Sequence, residues 1–192
     1  MKKTFVIGIA GGSASGKSTI ATKLEELLYN MQLLVLHMDS YFKPEEELPL
    51  VEAPITGKTY RDYNHPSSFY MDRLKAELSE AIESEKYQVI IVEGLLVLWD
   101  KDISGMLDLK LFIDCRADER IVRRLKRNME WGLSFDAISE VYLDLVRYRH
   151  DEYVEPSKWH ADLILNGSGS TDKALKMILA YVQSANICDM ND

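Results

Sequence analysis

A run of glycine, serine and lysine near the start of the chain has the spacing of a phosphate-binding loop. Residues 11–18 read GGSASGKS and match the pattern G-x-x-x-x-G-K-[ST] at every fixed position. Glycines let the backbone curl so that successive N–H groups point at phosphate oxygens. We expect Lys17 to reach the β- and γ-phosphates of ATP and the Ser18 hydroxyl to ligate Mg²⁺. The predicted ATP-binding residues are Gly11, Gly12, Ser13, Ala14, Ser15, Gly16, Lys17, Ser18 and Thr19.

Three carboxylates follow predicted strands and are candidates for chemistry beside this loop. They are Asp39, Glu93 and Asp114, and the carboxyl ends of parallel strands are where ligands bind in open α/β sheets. We expect Glu93 to hold Mg²⁺ directly or through water. We expect Asp39 to orient an acceptor hydroxyl and accept its proton during phosphoryl transfer. For Asp114 we favour the simpler interpretation that it caps the helix that follows.

A helix rich in arginine supplies candidate catalytic cations. Arg120, Arg123, Arg124 and Arg127 follow i, i+3, i+4, i+7 spacing and predict one cationic face in a chain of net charge −8. A charged run is usually a solvated helix face. A lid that brings guanidinium groups onto the transferring phosphoryl group would give this cluster an anion to neutralise.

The segment between Pro44 and Pro66 holds four of the five prolines and several aromatic residues. A long irregular connection inside a compact domain is usually functional or disordered. We interpret residues of about 40–68 as an acceptor loop, in which Tyr60, Arg61, Asp62, Tyr63, Asn64 and His65 could form the acceptor pocket and His65 could touch a substrate. His37, inside an apolar strand, is interpreted as a packed side chain.

Strands alternate with helices along the whole chain. This order predicts one α/β domain over residues 1–192, with a five-stranded parallel sheet, helices on both faces and a helical lid at about residues 116–150. The predicted strands are Thr4–Ala10, Leu33–Met38, Tyr87–Val92, Leu109–Asp114 and Ala161–Leu165. The predicted helices are Lys17–Asn30, Phe69–Glu85, Ala117–Trp131, Phe135–Tyr153 and one from about Asp172.

Composition excludes several classes of partner. The net charge of −8 argues against a broad nucleic-acid-binding surface. The apolar run Phe5–Ala10 is too short for a signal sequence, and nothing approaches the ~20 apolar residues that span a bilayer. The two cysteines, Cys115 and Cys188, lack metal-type spacing. We therefore expect a cytoplasmic protein with no membrane partner.

Several motifs together resemble the uridine kinase branch of the phosphoribulokinase/uridine kinase family. They are GIAGGSASGKST, MDSYF, NHPSSF, VEGLLVL, LKLFIDCRADERIVRRLKRN and EPSKWHADLIL, in the family's order. The resemblance implies a P-loop NTPase fold, ATP and Mg²⁺ as cofactors, and phosphorylation of a nucleoside 5′-hydroxyl. It also implies that Asp39 is the family's catalytic acidic residue and Glu93 its magnesium-associated glutamate. Arg124 and Arg127 resemble the lid arginines, and Tyr41 resembles the aromatic residue beside the acceptor.

The departures from that family concern the residues that would bind the acceptor. The family has a pyrimidine-contacting hairpin of about two dozen residues before the strand that ends in E-G, whereas here Glu83–Lys86 leads directly into that strand. The family's R-G-R lid element reads Trp131-Gly132-Leu133, and the acid of its F-D-H-P pattern is Asn64. The residues predicted to bind the acceptor are Asp39, Tyr41, Asp62, Asn64 and His65.

These departures leave the acceptor open among small hydroxyl compounds. Nicotinamide riboside, pantothenate or a sugar phosphate are alternatives to uridine, and the Tyr148-Arg149 pair is comparable to one in nicotinamide riboside kinases. A nucleotide-dependent regulatory switch is an alternative of another class, although the chain contains no guanine-reading N-K-x-D sequence. The family's members are often homo-oligomers, and the sequence does not decide that property here.

Overall fold

Five parallel strands form the central sheet of the computed structural model, which describes residues 4–188. The strands in chain order are β1 Phe5–Gly11, β2 Leu33–His37, β3 Leu50–Glu52, β4 Thr59–Arg61, β5 Val89–Glu93, β6 Leu109–Asp114 and β7 Leu163–Asn166. The parallel sheet has the order β2-β5-β1-β6-β7, which confirms the predicted five-stranded parallel sheet. The short strands β3 and β4 form a separate antiparallel hairpin inside the acceptor loop, a feature that the sequence did not predict.

Helices connect the strands and cover both faces of the sheet. They are α1 Lys17–Leu27, α2 Met71–Glu83, α3 Lys101–Gly105, α4 Ala117–Glu130, α5 Phe135–Val141, α6 Arg147–Arg149, α7 Glu155–Ser157 and α8 Asp172–Cys188. The stretch 135–157 is continuously helical, with π-helical turns at Tyr142–Val146 and His150–Val154. None of the helices in residues 4–188 is long and apolar enough to cross a membrane.

Two hydrophobic layers hold the sheet between its helices. On one face Val6 and Ala10 of β1 pack with Leu74 and Leu78 of α2. On the other face Ile7 and Ile9 of β1 pack with residues of α1 and α8. All four β1 side chains are buried, as expected for a parallel strand that is covered on both sides.

The parallel register brings the predicted acids to one edge of the sheet. Glu93 of β5 lies opposite Ile9 of β1 and His37 of β2, and Gly11 of β1 lies opposite Ile113 of β6. Asp114 does not cap α4. Its carboxylate lies 3.5 Å from the Lys158 ammonium group, and α4 begins after Arg116 without a side-chain cap.

Candidate active site

The P-loop joins the end of β1 to the start of α1. Gly16 is the N-cap of α1 with a φ of 105°, in the left-handed region that glycine adopts without strain. Gly11 has a φ of 147°, and a Cβ there would lie 2.6 Å from the carbonyl oxygen of Ile113. Lys17 donates a hydrogen bond to the Gly12 carbonyl over 3.2 Å. The loop therefore needs glycine at both positions, as the motif predicts.

Glu93 is a buried carboxylate at the end of β5 that contacts the P-loop. The Ser18 hydroxyl donates to Glu93 Oε1 over 3.1 Å, and His37 Nδ1 lies 2.9 Å from the same oxygen. The interpretation of His37 as a packed residue is therefore wrong. Its side chain is 49% exposed, because it sits at the carboxyl end of β2, where the strand leaves the core. No sequence signal indicated this contact.

Ser18 and Glu93 form a donor set that fits magnesium. Mg²⁺ prefers oxygen ligands and is usually held by one or two carboxylates together with substrate phosphates and water. Within residues 4–188 no group of three or more His, Cys, Asp or Glu side chains converges as a metal site. One serine hydroxyl and one carboxylate beside a phosphate-binding loop match the set that a nucleotide-bound Mg²⁺ ion requires.

Asp39 lies in a 3₁₀ turn, Met38–Tyr41, and faces a cleft of about 990 Å³ that the P-loop also lines. Loss of hydrating water in the cleft raises the pKa of the Asp39 carboxyl, and the positive charge of Lys17 opposes that shift. Burial lowers the pKa of the Lys17 ammonium group, while Glu93 and Asp39 oppose the change. The cleft therefore brings together a candidate base, a phosphate-binding cation and the candidate magnesium ligands.

The arginines of α4 divide into two groups. Arg124 Nη1 donates to the Ser13 hydroxyl over 3.0 Å, and Arg127 Nη2 donates to the same oxygen over 3.4 Å. Both line the cleft, and burial followed by the charge of Arg127 lowers the pKa of Arg124. These contacts bring the two predicted lid arginines to the P-loop.

The other two arginines of the predicted cationic face have structural partners. Arg120 is buried and donates from Nε to the Cys115 carbonyl over 3.1 Å. Arg123 donates to the Gly167 carbonyl and pairs with Glu119. Three of the four arginines of the predicted cationic face, Arg123, Arg124 and Arg127, line the cleft, whereas Arg120 is buried against the Cys115 carbonyl and does not.

Of the five predicted acceptor residues, Asp39 and Asn64 line the cleft. Tyr41 instead donates from its hydroxyl to Glu77 over 2.6 Å. His65 contacts Ser67 and packs edge-on against Tyr153. Asp62 is fully buried in an ion pair. The structure does not bring these three side chains to the cleft as direct acceptor ligands.

Aromatic and apolar side chains form much of the acceptor end of the cleft. Phe42 stacks on Phe69 with ring centroids 4.2 Å apart, and Tyr63 meets Phe42 edge-on at 5.9 Å. Tyr63, one of the loop residues interpreted as a possible acceptor pocket, lines the cleft, and the lining residues missed from sequence are Phe42, Phe69, Leu95, Asn128, Trp131 and Leu133. The aromatic content of the segment 40–70 was the signal that could have found two of them.

Comparison with known proteins gives the same family as the motifs. The family model "Phosphoribulokinase / Uridine kinase family" matches residues 56–174. The chain is 35% identical to a uridine kinase of Geobacillus kaustophilus (strain HTA426) over 206 aligned positions, which cover 95% of each protein. It is 34% identical to a uridine kinase of Bacillus subtilis (strain 168), again over 95% of each. These alignments are longer than this chain of 192 residues, so the relatives contain residues that this chain lacks.

A solved structure extends the comparison to the fold. Phosphoribulokinase from Rhodobacter spheroides superposes with a TM-score of 0.62 and 12% identity, over 88% of this chain and 74% of that one. At that identity the likeness concerns the fold alone. Neither the alternative acceptors nor the regulatory switch is favoured by the sequence relatives, which are uridine kinases. With a family model matching more than half of it and relatives of about 35% identity along nearly its full length, the chain belongs to the phosphoribulokinase/uridine kinase family.

Proposed function

We propose that this protein is an ATP-dependent kinase that transfers the γ-phosphoryl group of ATP to the 5′-hydroxyl of a nucleoside, with uridine as the first acceptor to test. The observation that carries the proposal is that Asp39 lines the same cleft as Lys17 and Ser18. A kinase needs a proton acceptor for the attacking hydroxyl within reach of the phosphate-binding loop. The uridine kinases to which the chain is similar supply the acceptor class.

The phosphate end of the cleft binds ATP in this proposal. Backbone N–H groups of the P-loop and the N-terminus of α1 hold the phosphates, and Lys17 neutralises charge on the β- and γ-groups. Ser18 and Glu93 would hold Mg²⁺, whose chemical contribution is to neutralise charge that develops on the phosphate oxygens.

Asp39 acts on the acceptor. Its carboxylate accepts a hydrogen bond from the acceptor hydroxyl and takes the proton as the hydroxyl oxygen bonds to the γ-phosphorus. The bond between that phosphorus and the β,γ-bridging oxygen breaks, and ADP leaves. The raised pKa of Asp39 makes it a better proton acceptor than a fully hydrated aspartate.

Arg124 and Arg127 stabilise the transferring group. Both guanidinium groups contact the Ser13 hydroxyl at the rim of the P-loop, next to the position that the phosphates would occupy. Positive charge placed there before reaction lowers the energy of the transition state, in which negative charge spreads over the phosphoryl oxygens.

The acceptor is tested by measuring ADP release from ATP and Mg²⁺ with a panel of hydroxyl compounds. The panel contains uridine, cytidine, adenosine, nicotinamide riboside, pantothenate and ribose 5-phosphate. We expect strong ADP release with at least one nucleoside and little without an acceptor. If no member of the panel accelerates ADP release, the kinase proposal fails, and if only a non-nucleoside does, the acceptor class is wrong.

The same proposal sets the partners and location of the protein. Its partners are small molecules, with no nucleic acid and no membrane, and a cytoplasmic location gives access to ATP and nucleosides. A homo-oligomer remains a prediction that size-exclusion chromatography with light scattering tests directly.

A further inference from the structure

A buried ion pair connects the acceptor loop to the helical stretch 135–157. Asp62 Oδ2 accepts from Arg149 Nε over 2.6 Å, and the side chains are only 1% and 17% exposed. The two residues are 87 positions apart in the chain. Arg149 also pairs with Glu152, whereas loss of Arg149 would leave the buried Asp62 carboxylate without its cation, so the contact fixes the relative position of its two segments.

Both carboxylate oxygens and both backbone polar groups of Asp62 have protein partners. Oδ1 accepts from the Asn64 backbone N–H over 2.8 Å. The Asp62 backbone N–H donates to the Pro49 carbonyl over 2.9 Å, and its carbonyl accepts from the Ser68 hydroxyl. A residue that is buried and engaged in this way organises the chain around it and does not face a ligand.

The segment that Asp62 organises is the one that reaches the cleft. Tyr63 and Asn64 follow it directly, and both line the cleft that contains Asp39. The hydrogen bond from the Asn64 N–H to the Asp62 side chain is an Asx-type turn, which sets the direction of the two residues between the ion pair and the cleft. Arg149 lies between the two π-helical turns, and its ion pair with Asp62 holds the Asx-type turn in place.

We propose that Asp62 and Arg149 are positioning residues that set Tyr63 and Asn64 against the nucleoside, and that Asp62 does not itself bind the acceptor. This inference rests on the proposed function, because it assigns a role in acceptor binding. It predicts that breaking the pair weakens acceptor binding at a site that the ion pair never touches. ATP binding at the far end of the cleft should be largely unaffected.

Steady-state kinetics of Asp62→Asn, Arg149→Met and the double variant test the pairing. We expect each single change to raise the KM for uridine on the order of ten- to a hundredfold, as a small misplacement of a binding group does. The KM for ATP should change little. The double variant should be no worse than either single variant, because the two residues act as one unit.

Deoxynucleosides distinguish positioning from direct contact. If Asp62 bound a ribose hydroxyl, wild type and Asp62→Asn would have the same KM for the acceptor that lacks this hydroxyl, either 2′-deoxyuridine or 3′-deoxyuridine. We expect Asp62→Asn to have a higher KM than wild type for both deoxynucleosides. Equal KM values for one of the deoxynucleosides would overturn the positioning role.

Two further variants serve as a control and as a substitute for Asp62→Asn. Lys58→Met removes an exposed ion pair between the same hairpin and Glu140, and it should leave the KM for uridine nearly unchanged. If Asp62→Asn does not fold, Arg149→Lys keeps the charge but not the guanidinium geometry and should raise the same KM. An unchanged KM in the folded variants contradicts the inference alone. A wild-type protein whose ADP release ignores nucleosides contradicts the proposed function, and the inference with it.

Discussion

The Ser18 hydroxyl lies 3.1 Å from Glu93 Oε1, and this contact joins the P-loop to the end of β5. His37 Nδ1 reaches the same oxygen from β2 at 2.9 Å. Glu93 is therefore held by the first turn of α1 and by a neighbouring strand, so its carboxylate is oriented before any ligand binds. The His37 contact matches the outer contacts that orient metal ligands in proteins.

Removal of the Ser18 hydroxyl should weaken the use of magnesium. We expect Ser18→Ala to raise the Mg²⁺ concentration needed for half-maximal activity on the order of tenfold or more, because one of two protein oxygens is lost. Ser18→Thr keeps a hydroxyl at the same position and is the matched control. Titration of activity and of nucleotide binding with Mg²⁺ measures the effect, and equal Mg²⁺ requirements in wild type and Ser18→Ala would rule out Ser18 as a ligand.

Asp39→Asn should impair transfer much more than ATP binding. The amide cannot accept the hydroxyl proton, so we expect kcat to fall by roughly a hundredfold or more, the usual contribution of a general base. The KM for ATP should stay within a few-fold of wild type. Asp72→Asn, at an exposed acid in the first turn of α2, is the control. A parallel loss of kcat and ATP affinity would contradict the role as base.

The pH dependence of the reaction should carry the signature of the same carboxylate. The cleft raises the pKa of Asp39 above its usual 3.8, so the carboxylate is protonated at a higher pH than an ordinary aspartate. The proton acceptor is then lost as pH falls through that raised value. We expect kcat/KM for the acceptor to decline on the acid side in wild type, with this decline absent from the residual activity of Asp39→Asn.

Arg124→Met and Arg127→Met test whether the two lid arginines stabilise the transferring phosphoryl group. Each should lower kcat by roughly a hundredfold, because catalytic arginines supply large stabilisation to a transferring phosphoryl group. Lys126→Met removes a positive charge from an exposed position on the same helix and should have little effect. Rates at saturating ATP and acceptor give the comparison. If all three variants lose activity equally, net charge and not placement explains the effect.

Local patterns in the sequence were enough to predict the phosphate half of the site. The strands of the central sheet are short apolar runs, and the P-loop motif fixes the turn between β1 and α1. Parallel topology then brings Asp39 and Glu93 to the same edge, because both lie at the carboxyl ends of strands. These inferences need only periodicity and chain order.

The acceptor half depended on contacts between distant residues, which no local pattern contains. Asp62 was predicted to bind the acceptor, yet it is buried by Arg149, 87 positions away. Helical spacing predicted four arginines on one face, but Arg120 is buried and donates to the Cys115 carbonyl, and only Arg123, Arg124 and Arg127 line the cleft. The β3–β4 hairpin escaped prediction because each strand has only three residues.

His150 connects the helical stretch 135–157 to the underside of the P-loop. A Cβ on Gly12 would lie 2.4 Å from Arg120 Nη1 and 3.0 Å from His150 Cε1, so both side chains pack closely beneath that glycine. His150 Nε2 lies 3.3 Å from Glu155. Burial, followed by the positive charge of Arg120, lowers the pKa of His150 from 6.5 to about 4.

This buried histidine should make the folded protein sensitive to acid. Its folded-state pKa lies below its unfolded value, so the unfolded state binds the proton first and stability falls as pH drops through the window from 6.5 to about 4. The contribution lost between pH 7 and pH 5 is about 2 kcal/mol. We expect the free energy of unfolding, measured with urea relative to its value at pH 8, to show that loss in wild type. In His150→Asn the free energy of unfolding should fall less over the same pH range. Identical pH slopes for both proteins would mean that His150 is not kept neutral beneath Gly12.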